Sequence, residues 1–227
     1  MSAPVVNVGP SVTLSIDVFW SFRSPYSYLA TPRLVEMAQA YDLTVVARPV
    51  YPLAVRSGEF FSQVNPLWVG YLMRDTLRLG EILGLPYRWP RPDPVVVDPA
   101  TRAATPNQPY IHRLTRLGCV AEEAGHGLAF LKEVSHTIWS GTVDGWNTGD
   151  HLAKAAARAG LDLVALDKKI TDDPDKYEAI ILANQAAHQA CGHWGVPTMA
   201  FEGEPFFGQD RLDVLLWRLK QKGLSKR

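Results

Sequence analysis

The sequence predicts an α/β fold: a β-α-β unit opens the chain, a β-β-α unit closes it, and residues 51–194 between them read mostly as helix. Two observations carry the ends. Leu14, Ile16, Val18 and Trp20 alternate with Ser15, Asp17 and Phe19, the period of a strand with one apolar face, and a helix-opening Ser24-Pro25 follows almost at once. Near the other end, residues 197–202 and Phe206-Phe207 flank a Gly203-Glu204 turn, and Asp210 then starts a helix with Leu212, Leu215, Leu216 and Leu219 on one side. The third is the middle, where no repeat or low-complexity linker separates the helical patterns. One composite domain is expected.

Each element has a local reason. Residues 1–11 lack periodicity and read as a loose leader. Ser24 is a good N-cap, and Pro25 suits the first helical position, where its missing N–H is no loss. The helix that follows has Leu34, Met37, Ala38 and Tyr41 at helical spacing, with a bend or restart expected near Pro32. Residues 43–50 are β-rich, which favours a parallel strand pair with a right-handed crossover. A helix is expected over 65–83, burying Leu67, Tyr71, Leu72, Leu79, Ile82 and Leu83. The segment 85–99 has five prolines in fifteen residues and must be irregular and extended. Residues 110–139 read as helix interrupted near Gly125 and Gly127; an alanine-rich helix follows Asp150 and stops at Gly160. Asp173-Pro174 opens a last long helix of this middle part, ending near Cys191-Gly192.

Composition excludes several functions. The 227 residues carry 23 Lys+Arg against 23 Asp+Glu, which argues against a general nucleic-acid binder. No apolar run approaches a membrane span. The first eighteen residues have no Lys or Arg and no apolar h-region, so no secretory signal is expected. Cys119 and Cys191 lie 72 residues apart without a CxxC, so no dithiol motif or zinc knuckle is expected, and a reduced cytosolic setting is the default. The six histidines show no metal-ligand spacing, and no phosphate loop is present.

Two segments carry candidate chemistry. In Phe19-Trp20-Ser21-Phe22-Arg23-Ser24-Pro25-Tyr26-Ser27-Tyr28 a strand ends in a tight turn and enters a helix, whose free N–H groups and dipole favour an anion or thiolate. A serine hydroxyl there either caps the helix or donates to an incoming ligand. In Gly195-Val196-Pro197-Thr198 a cis-proline would expose the preceding backbone, although most X–Pro bonds are trans. Gly208-Gln209-Asp210 opens the last helix, where Asp210 either favours the dipole or binds a ligand ammonium group. Trp139, Trp146 and Trp194 either line an aromatic pocket or fill the core.

SPYS at 24–27, GVPT at 195–198 and FFGQDRLDVL at 206–215, in this order, resemble the 2-hydroxychromene-2-carboxylate isomerases. These are relatives of the kappa-class glutathione transferases within the DsbA-like branch of the thioredoxin fold. The resemblance covers residues 14–220, including 138–163, and is weakest at 51–110. It implies a thioredoxin-like fold over 12–50 and 174–222 with a large, mostly helical insertion of the DsbA/kappa type over 51–173. It implies glutathione as cofactor. Ser24 and Ser27 stand where a redox relative has its two cysteines, so the reactive sulfur would come from glutathione and Ser24 would be the catalytic residue steadying its thiolate. Pro25 and Tyr26 would border the tripeptide, Val196 would pair its backbone with the cysteinyl part, Gln209 and Asp210 would hold its γ-glutamyl end, and Phe207 and Gly208 would be neighbouring ligand contacts.

The acceptor side departs from the family. Where relatives carry lysine and asparagine in a K-x-x-G-N-like segment, this chain has Ala54-Val55-Arg56-Ser57-Gly58-Glu59 and, further on, Asn65. Arg56 and Asn65 are the candidate substrate residues, Arg56 binding a carboxylate bidentately or lying solvated at the surface. The resemblance implies a glutathione-dependent isomerase of an aromatic 2-oxo acid, homodimeric and active in the catabolism of aromatic compounds. The alternatives are a kappa-type glutathione transferase or peroxidase and a non-catalytic thioredoxin-fold binding module. The serines at 24 and 27 argue against a dithiol oxidoreductase.

Overall fold

Strand β1 (Leu14–Trp20) turns Ile16, Val18 and Trp20 into the main core and Phe19 to a smaller cluster with Val50 and Ala200. The computed structural model describes residues 13–227 apart from Glu59 and Arg102, with the backbone alone at Phe61 and Ser62. The expected leader at 1–11 lies outside the described residues. Helix α1 (Pro25–Ala40) follows the turn, capped by Ser24 in extended conformation (φ −97°, ψ 115°). The helix runs through Pro32 without the expected restart. The missing N–H removes one hydrogen bond, and side chains hold the preceding turn. Trp20 Nε1 donates to the Ser27 carbonyl and to Thr31 Oγ1, both at 3.1 Å, and Thr31 Oγ1 donates to Ser27 O at 2.7 Å.

Strand β2 (Leu43–Pro49) pairs parallel to β1, from Leu14 opposite Leu43 to Trp20 opposite Pro49. Two one-turn helices, α2 (Leu53–Arg56) and α3 (Phe60–Gln63), lead to α4 (Pro66–Leu83), which Asn65 caps. Here the expected buried face holds only in part: Leu72, Leu79 and Leu83 are half-buried, with Leu79 and Leu83 against the core. Leu67 and Ile82 are each 79% exposed and Tyr71 53%, while Thr76 and Gly80 are the buried positions. The helix seats on its small residues because the Tyr87 side chain packs against Gly80 and its hydroxyl donates to Thr76 Oγ1 at 2.8 Å. The proline-rich stretch after α4 is irregular, as its composition requires. Arg23 pins it through a two-pronged ion pair with Asp93, at 2.9 and 3.1 Å.

Helices α5 (Ile111–Glu123), α6 (Gly127–Trp139) and α7 (His151–Arg158) fall where the sequence predicts them. Helix α8 (Leu163–Asp172) was not expected; its polar sequence buries only Leu166 and Ile170, and Asp162 caps it by accepting from Val164 N. Helix α9 (Pro174–Ala190) begins at the expected Asp173 cap. Strands β3 (Thr198–Phe201) and β4 (Glu204–Phe207) form the hairpin, but its turn is Glu202-Gly203, one residue earlier than expected, with φ of 50° and 81°. Positive φ at both central residues matches the twist of a tight hairpin. A 3₁₀ turn (Gln209–Arg211) leads into α10 (Leu212–Gln221). The sheet order is β2-β1-β3-β4, with β3 antiparallel to both neighbours. Helix α1 packs against β2, α6 and α10, while α5 packs against β2, α6, α8 and α9. Among the described residues no helix is long and apolar enough to cross a membrane.

Candidate active site

The N-terminus of α1 meets the loop before β3. Ser24 Oγ accepts from Ser27 N at 3.1 Å and donates to the Val196 carbonyl at 3.2 Å. The two readings of this serine are therefore compatible: it caps the helix and also faces the loop. The Val196–Pro197 peptide is cis. Pro25 is buried at the first helical position, and Ser27 is fully buried with no hydrogen-bond partner for its Oγ among the described residues. Tyr26 sends its hydroxyl to α4, donating to Asp75 Oδ2 at 2.7 Å. Burial and that carboxylate push its pKa well above the ordinary phenol value, so Tyr26 stays neutral.

The loop itself is fastened at each residue. The Trp194 carbonyl accepts from Arg56 Nη2 at 2.5 Å, and Gly195 N donates to His193 Nδ1 at 2.9 Å. Thr198 Oγ1 donates to the Gly195 carbonyl at 2.6 Å, and Gly208 N donates to the Pro197 carbonyl at 2.9 Å. Phe207 stacks on the His193 ring with centroids 4.0 Å apart. A Cβ at Gly195 would lie 2.5 Å from the Phe207 ring, so only glycine permits that approach. At Gly208 φ is 104°, and the Asp210 carboxylate folds back over it while pairing with Arg211 at 2.9 Å. The Asp210 side chain remains 59% exposed and open to a cation, with half-buried Gln209 before it.

The predicted acceptor residues separate. Arg56 borders a cavity of about 280 Å³ that Leu53, Phe60, Gln185, Gln189 and Trp194 also line. Burial pulls its guanidinium down to about 10, which still leaves a cation at neutral pH, and its Nε has no partner among the described residues. Asn65 does not line this cavity; it is exposed, and its side chain accepts from Leu67 N at 3.0 Å as the cap of α4. Of the three tryptophans weighed as pocket residues, Trp139 and Trp146 are core and Trp194 is 49% exposed at the cavity. Glu59 lies outside the described residues.

Sequence reasoning missed His188. It is fully buried and stacked on Phe19 at 4.6 Å, with neither ring nitrogen hydrogen-bonded among the described residues. Burial first, then the nearby Arg56 and His193, lower its pKa to about 4. An i, i+4 signal from Asn184 and Ile181, both buried on the same helix, would have placed it inside. Also missed was Arg23, tied to Asp93 one residue from Ser24 and lying 6.0 Å from the Trp89 ring.

The chain's own cysteines are poor nucleophiles. Burial pushes the Cys119 thiol up to about 12, and burial also raises Cys191, whose Sγ donates to the His188 carbonyl at 3.0 Å. Among the described residues no group of three or more His, Cys, Asp or Glu is placed to hold a metal ion. The donor set suits a peptidic thiol. A hydroxyl and a helix N-terminus favour a thiolate, the backbone beside a cis-proline accepts strand-like pairing, and an exposed carboxylate suits an ammonium group.

The parallel β1–β2 pair, the antiparallel hairpin and a cis-proline loop opposite the capped end of α1 define a thioredoxin-fold protein with serines at the positions facing that loop and the core. A 2-hydroxychromene-2-carboxylate isomerase from Pseudomonas putida is 26% identical over 220 residues, 88% of this chain and 91% of that protein. One from Sphingobium xenophagum is 26% identical over 212 residues, covering 90% and 97%. The solved structure of a 2-hydroxychromene-2-carboxylate isomerase superposes with TM-score 0.68 at 23% identity, over 92% of this chain and 95% of that one. The cytosolic disulfide reductase DsbM of Pseudomonas aeruginosa, solved with GSH, has TM-score 0.59 at 19% identity, over 91% and 100%. The DSBA-like thioredoxin domain family matches residues 15–220, and the chain belongs to that family.

Proposed function

We propose that this protein is a glutathione-dependent isomerase of 2-hydroxychromene-2-carboxylate or a related aromatic 2-oxo acid. The observation that carries the reading is Ser24: its hydroxyl caps α1 and faces Val196 beside the cis-proline, with no cysteine at 24 or 27. The names of the Pseudomonas putida and Sphingobium xenophagum relatives supply the reaction class.

Bound glutathione would supply a nucleophilic sulfur that adds reversibly to an activated double bond, which frees rotation about it. Ser24 donates to that sulfur and holds it as thiolate. A hydrogen bond to a charged group contributes roughly 1.5–3 kcal/mol and a helix N-terminus about 0.3–1. At about 1.4 kcal/mol per pKa unit, the two together lower a thiol by roughly one to two units or somewhat more. Pro25 and Tyr26 border the peptide, Val196 pairs with its backbone, Gln209 and Asp210 receive its γ-glutamyl end, and Phe207 and Gly208 contact it alongside. Arg56 binds the acceptor carboxylate and steadies negative charge developing on it; Asn65, exposed at the start of α4, stands further out. The same reading includes a homodimer and a cytoplasmic setting.

Calorimetry with reduced glutathione, thiolate absorbance and an isomerisation assay test it on wild type and Ser24→Ala. Loss of thiolate signal and turnover in the variant is expected. Unchanged thiolate absorbance in Ser24→Ala would sink the catalytic assignment. Conjugate accumulating with an electrophile would make the protein a kappa-type transferase, and absence of glutathione binding would leave a binding module.

A further inference from the structure

A second cavity lies elsewhere in the molecule. It measures about 600 Å³ and lies between α1, α6 and α7, and neither Ser24, Arg56, Val196 nor Asp210 lines it. Helix α7 turns His151, Lys154 and Arg158 into it, at i, i+3 and i+7, the spacing of one helix face. Helix α6 contributes Lys132 and His136, one turn apart, together with Glu133. Tyr28 and Pro32 of α1, with Leu85 and Val143 from the connecting segments, supply apolar lining beside Thr31 and Thr142.

The charge is lopsided for a chain whose formal net charge is zero. Three cations, Lys132, Lys154 and Arg158, meet the lone lining carboxylate, Glu133. That carboxylate is already shared, by Arg158 Nε at 2.6 Å and Lys132 Nζ at 3.2 Å, and these partners hold its pKa below the ordinary value against burial. Arg158 Nη2 also donates to Thr137 Oγ1 at 3.2 Å, so the guanidinium is fixed from two sides. Burial lowers the pKa of His136, which leaves a neutral imidazole among the cations at neutral pH. Lys154 pairs with Asp150 at 3.0 Å, both side chains largely exposed.

The geometry points to a second ligand site here, for an amphiphilic organic anion: a flat apolar body against Tyr28, Leu85 and Val143, and a carboxylate toward Lys132, Lys154 and Arg158. The volume falls in the range of small-molecule sites. Half-exposed cations, two of them sharing one carboxylate and the third paired with Asp150, favour an added anion over a neutral guest. A simple inorganic anion leaves the apolar lining wet, so the apolar body contributes to affinity.

Amide shift mapping by NMR on the whole chain tests the site with 1-naphthoate, its neutral analogue 1-naphthylmethanol, and inorganic phosphate. Saturable shifts confined to residues 28–32, Leu85, 132–137, Thr142, Val143 and 151–158 are expected for naphthoate, at least about fivefold weaker for the alcohol and for phosphate. Lys154→Glu, an exposed change checked for fold by circular dichroism, is expected to weaken naphthoate by a similar factor, and added salt to weaken it in wild type. Naphthoate shifts only near Arg56 and Trp194, or none at millimolar ligand, overturn the proposal. Equal binding of the alcohol or of phosphate overturns it as well.

Discussion

Arg56 Nη2 donates to the Trp194 carbonyl at 2.5 Å, joining residues 138 apart in sequence and tying the cavity that both line to the loop that faces Ser24. The guanidinium thus sits between two jobs. Under the proposed function one is to receive a carboxylate; the other is to hold the backbone two residues before Val196.

Arg56→Ala is therefore expected to weaken both ligands. A lost hydrogen bond to a charged group corresponds to roughly tenfold or more in affinity. The acceptor KM should rise by about that factor, and glutathione affinity, read by calorimetry, should fall severalfold as the loop loosens. A change in acceptor KM with glutathione binding untouched would show that the clamp on Trp194 does nothing.

The two serines of the turn should behave oppositely. Ser24 caps α1, so Ser24→Ala is expected to cost about 1 kcal/mol of unfolding free energy. Ser27 Oγ is buried without a partner among the described residues, so Ser27→Ala should be neutral or slightly stabilising. Urea unfolding of both variants decides it, and a larger loss at 27 than at 24 would contradict the assignment.

His188 gives the fold an acid sensitivity. Its folded value is about 4 against an ordinary 6.5, with burial as the first cause. The unfolded chain takes up the proton below pH 6.5 while the folded chain resists it, so this stability is complete above 6.5, falls with pH and levels off below about 4. The total is roughly 3 kcal/mol at about 1.4 kcal/mol per unit. His188→Gln should flatten the dependence of unfolding free energy on pH across this window; an unchanged slope refutes the prediction.

Neither cysteine should react readily. Cys119 is 3% exposed with its thiol pushed up to about 12, and Cys191 is raised as well. Alkylation of native protein at neutral pH, followed by mass spectrometry, is expected to be slow at both. Fast labelling of either would mean that the chain does carry its own thiolate.

Gly195→Ala tests the packing of the loop. Its Cβ would meet the Phe207 ring at 2.5 Å, so ring and loop must part. A destabilisation of about 1–3 kcal/mol is expected, with weaker glutathione binding in calorimetry. A variant that binds as wild type would separate Phe207 from the site.

The strands and most helices are legible because each carries a local signal: alternation in β1, Ser24-Pro25 before α1, Asp173-Pro174 before α9. Helix α4 misleads for a physical reason. Its leucines have helical spacing, but spacing does not say which side meets a partner, and the small Thr76 and Gly80 admit Tyr87 from the irregular stretch just after the helix. Helix α8 hides because two buried residues make no stripe. In the site, Ser24, Val196 and the segment 207–210 are readable as motifs. The links Arg56–Trp194 and His193–Phe207 are not, since they depend on where the helical middle returns to the sheet.

The Ser24 hydroxyl has a single proton, and the Val196 carbonyl already takes it. Under the proposed function a thiolate must win that proton, and doing so strands a carbonyl acceptor unless the newcomer brings a donor of its own. A simple thiol has none to give. A thiol carrying an amide N–H close by can settle both ends of the exchange, so this one shared proton favours peptide-borne sulfur over any bare mercaptan.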